Sequence, residues 1–326
     1  MVKAKSWKIA KLFDGVPKDE DLQLVEEDLP GLKDGEMLIE AVYLTVDPYM
    51  RVMLETNGKV GDTMMGEQIS KVIESKNKDY PVGTIVRTHS GWRSRTIVSA
   101  DACRRMPELG DLSLSTALGV MGMPGMTAFF GFLEICSPKE GEVVVVSGAA
   151  GAVGSLVGQI AKIKGCKVIG FAGDEEKCKW IKSLGFDCVY NYKKVKIDDA
   201  LKEAAPEGVD CYFDNVGGEF TLSVLKNMKL FGRMSICGQI SQYNATDKLK
   251  AELPFPMILF KQLLVQGFIV TRWYPRWAEG EKQMSQWIRE GKITYKETVT
   301  EGFENMYTAF RGLFKGSNTG KAIVKC

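Results

Sequence analysis

The chain has 326 residues, 45% of them hydrophobic, with 43 lysines and arginines against 41 aspartates and glutamates. That length suits about two domains, and charge so evenly mixed excludes the basic footprint of a nucleic-acid or anionic-membrane binder. No apolar run is long enough to span a bilayer, and the start Met1-Val-Lys-Ala-Lys-Ser-Trp7 lacks the apolar core of a secretory signal, so a soluble, cytoplasmic protein is expected.

Residues 1 to about 120 read as β-rich. Strand candidates at 7–12, 22–27, 37–44, 68–74, 84–88 and 95–99 are separated by turn signals such as Pro30-Gly31, Asp34-Gly35, Asn57-Gly58 and Pro81-Val-Gly83. This spacing suggests a compact barrel-like module. Within it, Val46-Asp47-Pro48-Tyr49-Met50-Arg51 breaks a strand with a proline and reads as a solvated loop presenting a tyrosine and an arginine.

From about residue 115 helices and strands alternate. Four consecutive valines, Val143 to Val146, suit a parallel strand covered on both faces. A turn follows, Gly148-Ala-Ala-Gly151-Ala152-Val153-Gly154, and then a helix at 155–164. Gly151 would let the backbone approach a pyrophosphate, Gly154 would let the helix pack close to the strand, and the first-turn N–H groups would meet negative charge. A tight turn that binds nothing is the competing reading of such a motif alone.

The next strand, 167–172, closes a βαβ unit, and its tip bears on the cofactor. An NAD-preferring site usually carries a carboxylate there, about 20 residues past the glycines. This chain has Ala172 and Gly173 instead, with Lys177 a little further on. Small residues followed by a cation favour the 2′-phosphate of NADPH. Asp174, Glu175 and Glu176 read as the acidic start of the following helix, where its dipole stabilises them.

Further strands are expected at 189–190, 208–214, 233–237 and 265–270, with helices at 175–184, 198–204, 219–228, 256–264 and 279–290. This alternation builds a doubly wound parallel sheet, whose ligands bind beyond the carboxyl ends of the strands. That rule nominates the stretch beginning at Asn215, the run Gly238-Gln239-Ile240-Ser241-Gln242-Tyr243, and Phe268-Ile269-Val270 as the rest of a cofactor wall. A helix at 303–314 and a strand at 318–324 return toward the first module. The expected division is a first domain of 1–120 and 299–326 and a nucleotide-binding domain of 121–298. Loops at 246–256 and 274–280 would shape a substrate pocket.

Metal chemistry is disfavoured. The one histidine, His89, and eight scattered cysteines without a CxxC pair supply neither a catalytic nor a structural zinc set. Free thiols in a reducing compartment are expected.

Taken together, Val46 to Arg51, Ala149 to Gly154, Tyr212-Phe-Asp-Asn-Val-Gly-Gly218, Cys237-Gly-Gln-Ile-Ser241 and Gly320-Lys-Ala-Ile-Val324 resemble the medium-chain dehydrogenase/reductase superfamily, and within it the zinc-free prostaglandin reductase 1 group, over essentially the whole chain. The resemblance implies a GroES-like β-rich domain beside a Rossmann-type α/β domain. It also implies NADPH-dependent reduction of the carbon–carbon double bond of α,β-unsaturated ketones and aldehydes, without a metal. By position, Gly151, Ala152, Val153 and Gly154 would hold the pyrophosphate, Lys177 the 2′-phosphate and Tyr192 the adenosine phosphate end. Asn215, the loop Cys237 to Tyr243, Phe268 to Val270 and Asn318 would complete the cofactor site. Tyr192 as a packing aromatic and Asn215 as a helix cap are the bland alternatives. Tyr49 and Tyr243 are the expected donors to the enone oxygen, with Arg51 holding its loop, attracting an acidic lipid tail or serving a structural salt bridge. A homodimer paired through the edge of the nucleotide-binding sheet is also implied, and 265–270 is apolar enough to serve. One departure is Phe260, where many relatives carry a tyrosine. A quinone reductase of the same fold and an NADPH-binding protein without catalysis remain open readings.

Overall fold

The computed structural model describes residues 2–246 and 254–326, so most of the predicted 246–256 loop lies outside the described residues. Its contacts divide the chain into two compact units. One comprises Met1–Leu118, Glu297–Asn318 and Ala322–Cys326; the other comprises Gly119–Lys296 and Thr319–Lys321.

The first unit is built on antiparallel strands. β1 (Val2–Ile9) pairs with β2 (Leu22–Leu29) along its whole length. β1 therefore lies earlier than the expected 7–12, because the N–H groups of Ala10 and Lys11 both turn to the Asp21 carbonyl and end the ladder. β3 (Glu36–Thr45) is central, bonded to β4 (Gln68–Ser75) and to β6 (Arg95–Ser99), while β5 (Ile85–Thr88) joins β4 to the short β7 (Cys103–Arg104). Met37, Ile39, Val72, Val86 and Val98 fill one small core between these strands.

The expected loop at 46–51 is instead the entry to a helix, α1 (Tyr49–Asn57). Pro48 sits at the N-cap with φ −60°, a value its ring already imposes. The helix then buries Met50 and Leu54, four residues apart on one face. They join Ile9, Trp92, Phe303 and Phe310 in the larger core of this unit.

The second unit opens with α2 (Met123–Leu133) and carries six parallel strands: β8 (Val143–Val146), β9 (Lys167–Ala172), β10 (Cys188–Asn191), β11 (Val209–Asp214), β12 (Met228–Ile236) and β13 (Leu264–Gly267). Their order across the sheet is β10-β9-β8-β11-β12-β13. The direction of winding reverses between β8 and β11, and a crevice for a dinucleotide opens at such a reversal. The intervening helices are α3 (Gly154–Ile163), α4 (Glu175–Ser183), α5 (Ile197–Ala204), α6 (Gly218–Lys226), α7 (Phe255–Phe260) and α8 (Trp277–Arg289). Three of the four valines of β8 are fully buried, as a strand covered on both faces requires.

Two sequence boundaries shift here. The helix expected at 256–264 ends at Phe260, because Gln262 takes a left-handed φ of 51° and the Lys261 ammonium turns back to the carbonyls of Leu225, Lys226 and Met228 at 3.1, 2.5 and 2.8 Å. The strand expected at 265–270 stops at Gly267, and Val270 opens a 3₁₀ turn, Val270–Arg276.

The chain then supplies β14 (Glu297–Glu301), α9 (Met306–Lys315) and β15 (Lys321–Lys325), the last antiparallel to β3. All eight cysteines are free thiols. No helix among the described residues is long and apolar enough to cross a membrane.

Candidate functional site

The turn after β8 is glycine-dependent for two different reasons. A Cβ on Gly154 would stand 2.4 Å from the Gly148 carbonyl oxygen and 2.9 Å from the Ala149 Cα, so backbone fills that side. On Gly151 the nearest neighbour would be the Gly148 oxygen at 3.3 Å, and nothing else lies within 4 Å. Gly154 is thus needed by the packing of α3 on the strand, whereas Gly151 keeps a surface bare. Ala152 and Val153 complete that half-exposed surface, and no side chain caps the N-terminus of α3. Bare backbone at the positive end of a helix fits a pyrophosphate.

At the tip of β9 the three acids are committed within the protein. Asp174 is the N-cap of α4 and accepts from the Lys177 N–H at 2.8 Å. Glu175 pairs with Lys194 at 2.9 Å and accepts from the Asn191 amide at 3.0 Å, while Glu176 pairs with Lys179 at 2.8 Å. The Lys177 side chain is 13% exposed, its ammonium 3.9 Å from Asp174. Burial pushes that ammonium's pKa below the usual lysine value, the nearby Lys193 charge lowers it further, and Asp174 opposes both. The Tyr192 N–H donates to the Ala172 carbonyl at 3.1 Å, and a Cβ on Gly173 would come within 3.1 Å of the Tyr192 hydroxyl. The Lys193 ammonium sits 6.0 Å from the centre of the Tyr192 ring. Two lysines and a phenol therefore gather at a strand tip that has no side chain at Gly173, which suits a dianionic phosphate. Lys193 does not stand out in the sequence; its one signal is its place directly after Tyr192 at the end of β10.

Beyond β11 and β12, two loops are laced together. The N–H groups of Cys237 and Gly238 donate to the Asp214 carbonyl at 2.9 and 3.1 Å, that of Ile240 to Asn215 at 3.2 Å, and that of Ser241 to Val216 at 3.1 Å. The Ser241 hydroxyl adds a second bond to Val216 at 2.6 Å, and the Gln242 amide donates to that hydroxyl at 2.9 Å. Asn215 does not cap α6, whose N-cap is Gly217; its side-chain amide donates to the Ser147 carbonyl at 2.7 Å and ties this loop to the end of β8. Burial and then the Asp214 charge push the Cys237 thiol up to about 12, so it stays protonated. The Tyr243 hydroxyl accepts from the Gln239 N–H at 3.1 Å. Burial raises its pKa while that N–H opposes the rise, and its own hydrogen is left free to donate elsewhere.

The structure separates Phe268, Ile269 and Val270. Phe268 packs where a Cβ on Gly131 would collide with it at 2.3 Å and meets Phe213 and Trp273, Val270 is buried, and Ile269 is exposed. Phe268 and Val270 thus serve the core with their side chains, leaving the backbone of this stretch and Ile269 as candidate contacts.

In the first unit, Tyr49 is the first residue of α1, half-buried against the larger core. Arg51 takes the structural alternative and is not an exposed cation. Its guanidinium is 1% exposed, bonded to Glu55 at 2.5 Å and to the carbonyls of Gly15 at 3.2 Å and Phe13 at 3.5 Å, and stacked 5.2 Å over the Phe13 ring. A guanidinium so enclosed holds its own unit together and does not belong among the catalytic residues. Asn318 is half-buried in the turn after α9, whose C-cap Gly316 is left-handed. His89 is exposed at the end of β5. Among the described residues no three or more His, Cys, Asp or Glu side chains gather to hold a metal ion.

Two family descriptions match the chain: the N-terminal domain of oxidoreductases over residues 5–106 and zinc-binding dehydrogenase over residues 152–289. Prostaglandin reductase 1 from Bos taurus is 56% identical, with 100% of both chains covered. The NADPH-dependent curcumin reductase of Escherichia coli is 40% identical over 98% of this chain and 96% of that one. A solved structure of CurA from Vibrio vulnificus in complex with NADPH is 38% identical, with a TM-score of 0.93 and 98% of each chain covered.

Proposed function

Because this chain belongs to the prostaglandin reductase 1 group of zinc-free medium-chain dehydrogenase/reductases, we propose that it uses NADPH to reduce the carbon–carbon double bond of α,β-unsaturated ketones and aldehydes. The observation that carries the reading is the coincidence, in one parallel sheet, of a bare glycine turn at the switch point and a lysine-lined tip on the neighbouring strand whose acids are already engaged within the protein. A relative named 2-alkenal reductase from Nicotiana tabacum, 40% identical over 95% of this chain, points to the same substrate class.

The protein's part begins with grip. The turn Gly151 to Gly154 offers backbone to the pyrophosphate, and Lys177 with Tyr192 receives the 2′-phosphate. The loops at 215–218 and 237–243, with Asn318, complete the cofactor contacts. NADPH, when bound, supplies hydride from C4 of its nicotinamide to the β-carbon of the substrate. Charge then develops on the carbonyl oxygen, and a preorganised hydroxyl donor there is worth about 3 kcal/mol in the transition state. Tyr243 suits that role, because its oxygen already accepts from Gln239, which fixes the ring and frees the O–H hydrogen. Tyr49 is the second candidate donor. Protonation of the α-carbon then comes from a tyrosine or from water.

Tyr243→Phe and Tyr49→Phe, made singly and together, test the donors. A kcat lowered roughly 100-fold in one single variant, with KM for NADPH unchanged, identifies the principal donor. Wild-type turnover in all three variants would remove both. The reaction class is tested by NADPH oxidation against a panel of enones and enals with product analysis, a naphthoquinone serving as the comparison.

The protein works as a homodimer in this reading. β13 is an edge strand, and Leu230, Phe231, Phe255, Leu259, Phe260, Leu264 and Ile269 are exposed apolar residues on or near it. Phe260 serves this patch and not the chemistry, having no donor to give. Sedimentation of a monomer at micromolar concentration would refute the dimer. A cytoplasmic location is supported by the eight free thiols.

A further inference from the structure

At the end of β11, Asp214 is 1% exposed, and its carboxylate gathers donors from four separate stretches of chain. Oδ1 accepts from the Ser147 hydroxyl at 3.0 Å, the Tyr212 hydroxyl at 2.7 Å, the Val216 N–H at 2.9 Å and the Gly217 N–H at 3.0 Å. Oδ2 accepts from the Thr221 hydroxyl at 2.5 Å. The main-chain oxygen of the same residue holds the N–H groups of Cys237 and Gly238. One residue thus bonds the end of β8 through Ser147, the turn after β11, the first turn of α6 and the start of the loop after β12.

The turns it holds are ones a chain does not adopt unaided. Gly217 and Gly218 lie at φ 74° and 64°, and a Cβ on either would meet Gln239 at 2.9 Å or Gln242 at 2.7 Å. The first loop therefore presents bare backbone to the Gln239 and Gln242 side chains of the second, and it is set by bonds from Val216 and Gly217 to the Asp214 carboxylate. Hydrogen bonds to an ionised acceptor are roughly twice as strong as neutral ones, and a buried carboxylate so fully satisfied fixes its partners in one arrangement.

Resting on the reading of this sheet as an NADPH site, we infer that Asp214 is a positioning residue: its carboxylate preforms the 215–218 and 237–243 loops as the wall for the nicotinamide half of the cofactor. It acts through Asn215 and Tyr243 and makes no contact of its own, being sealed beneath the loops. The adenosine half, received at β9 and β10 on the other side of the switch point, does not depend on it.

That asymmetry supplies a test that separates positioning from general loosening. NADPH and adenosine 2′,5′-bisphosphate, which carries only the adenosine half, are each titrated by calorimetry against wild type, Asp214→Asn and Asp214→Ala. Asp214→Asn keeps Oδ1 as an acceptor but removes the charge, so its Kd for NADPH is expected to rise roughly tenfold while that for the bisphosphate stays within about twofold. Asp214→Ala should lose more of the NADPH affinity and again spare the bisphosphate; if it does not fold, the asparagine variant decides alone. Equal weakening of both ligands, or no change in either, overturns the inference. A wild type that binds neither ligand would instead refute the cofactor reading beneath it.

Discussion

Lys177→Ala is expected to raise the KM for NADPH roughly 10- to 100-fold and to leave that for NADH within about twofold, the size of one charge-assisted bond to a phosphate. The reason lies in how the lysine is held. Its side chain is mostly buried, burial and the neighbouring Lys193 disfavour its charge, and Asp174, 3.9 Å away, opposes both. A bound 2′-phosphate would bring a further negative charge to that ammonium, so its charged form is expected to be more stable in the complex than alone. The sign for pH follows. The free enzyme's lysine loses its proton below the ordinary lysine value, so Kd for NADPH should increase as pH rises through that lowered pKa, whereas Kd for NADH should stay flat. Lys193→Ala should weaken NADPH in the same selective way and by less, because its side chain lies over the exposed face of Tyr192. Equal losses for both cofactors in the Lys177 variant would remove its 2′-phosphate role.

Gly151→Ala and Gly154→Ala should fail differently, although one motif contains both. At Gly151 the added methyl meets only the Gly148 oxygen at 3.3 Å, so the fold should keep its thermal midpoint within a few degrees while the methyl covers the backbone that a pyrophosphate must approach. Loss of NADPH affinity by more than about tenfold, with little loss of stability, is the expected signature. At Gly154 the methyl would lie 2.4 Å from a backbone oxygen, so α3 must shift from β8, and stability should drop by about 1–3 kcal/mol together with binding. A Gly151→Ala protein that binds NADPH normally would leave the glycine turn as structure alone.

These two glycines also show what a sequence can carry. Strand, turn and helix follow one another in the chain, and the four valines with a glycine turn behind them specify a local geometry that the structure reproduces at β8 and α3. Asp174 behaves likewise: an acid directly before a helical stretch is an N-cap by local rules. Where the determining contacts are distant, the sequence is silent. The role of Arg51 is decided by carbonyls at Phe13 and Gly15, far upstream, so its spacing from Tyr49 says nothing about them. α1 is hidden because Pro48 reads as a strand breaker and equally as a helix start, and only the burial of Met50 with Leu54 settles which. The Asp214 hub draws on Ser147, Tyr212, Val216, Gly217 and Thr221, and no short motif announces that five donors converge on one carboxylate. Lys193 escapes for the opposite reason: an exposed lysine after a tyrosine is the commonest of surface pairs, and its bearing on Lys177 appears only when β10 is laid beside β9.

The most direct test of hydride delivery to the β-carbon rather than to the carbonyl carbon uses NADPH deuterated at C4, on the face the enzyme uses, and a simple enone, with a chelator present throughout. Proton and deuterium NMR of the product should find the label on the β-carbon, the carbonyl intact and the rate unaffected by the chelator. Label on the carbinol carbon of an allylic alcohol, or turnover that requires added zinc, would contradict the account.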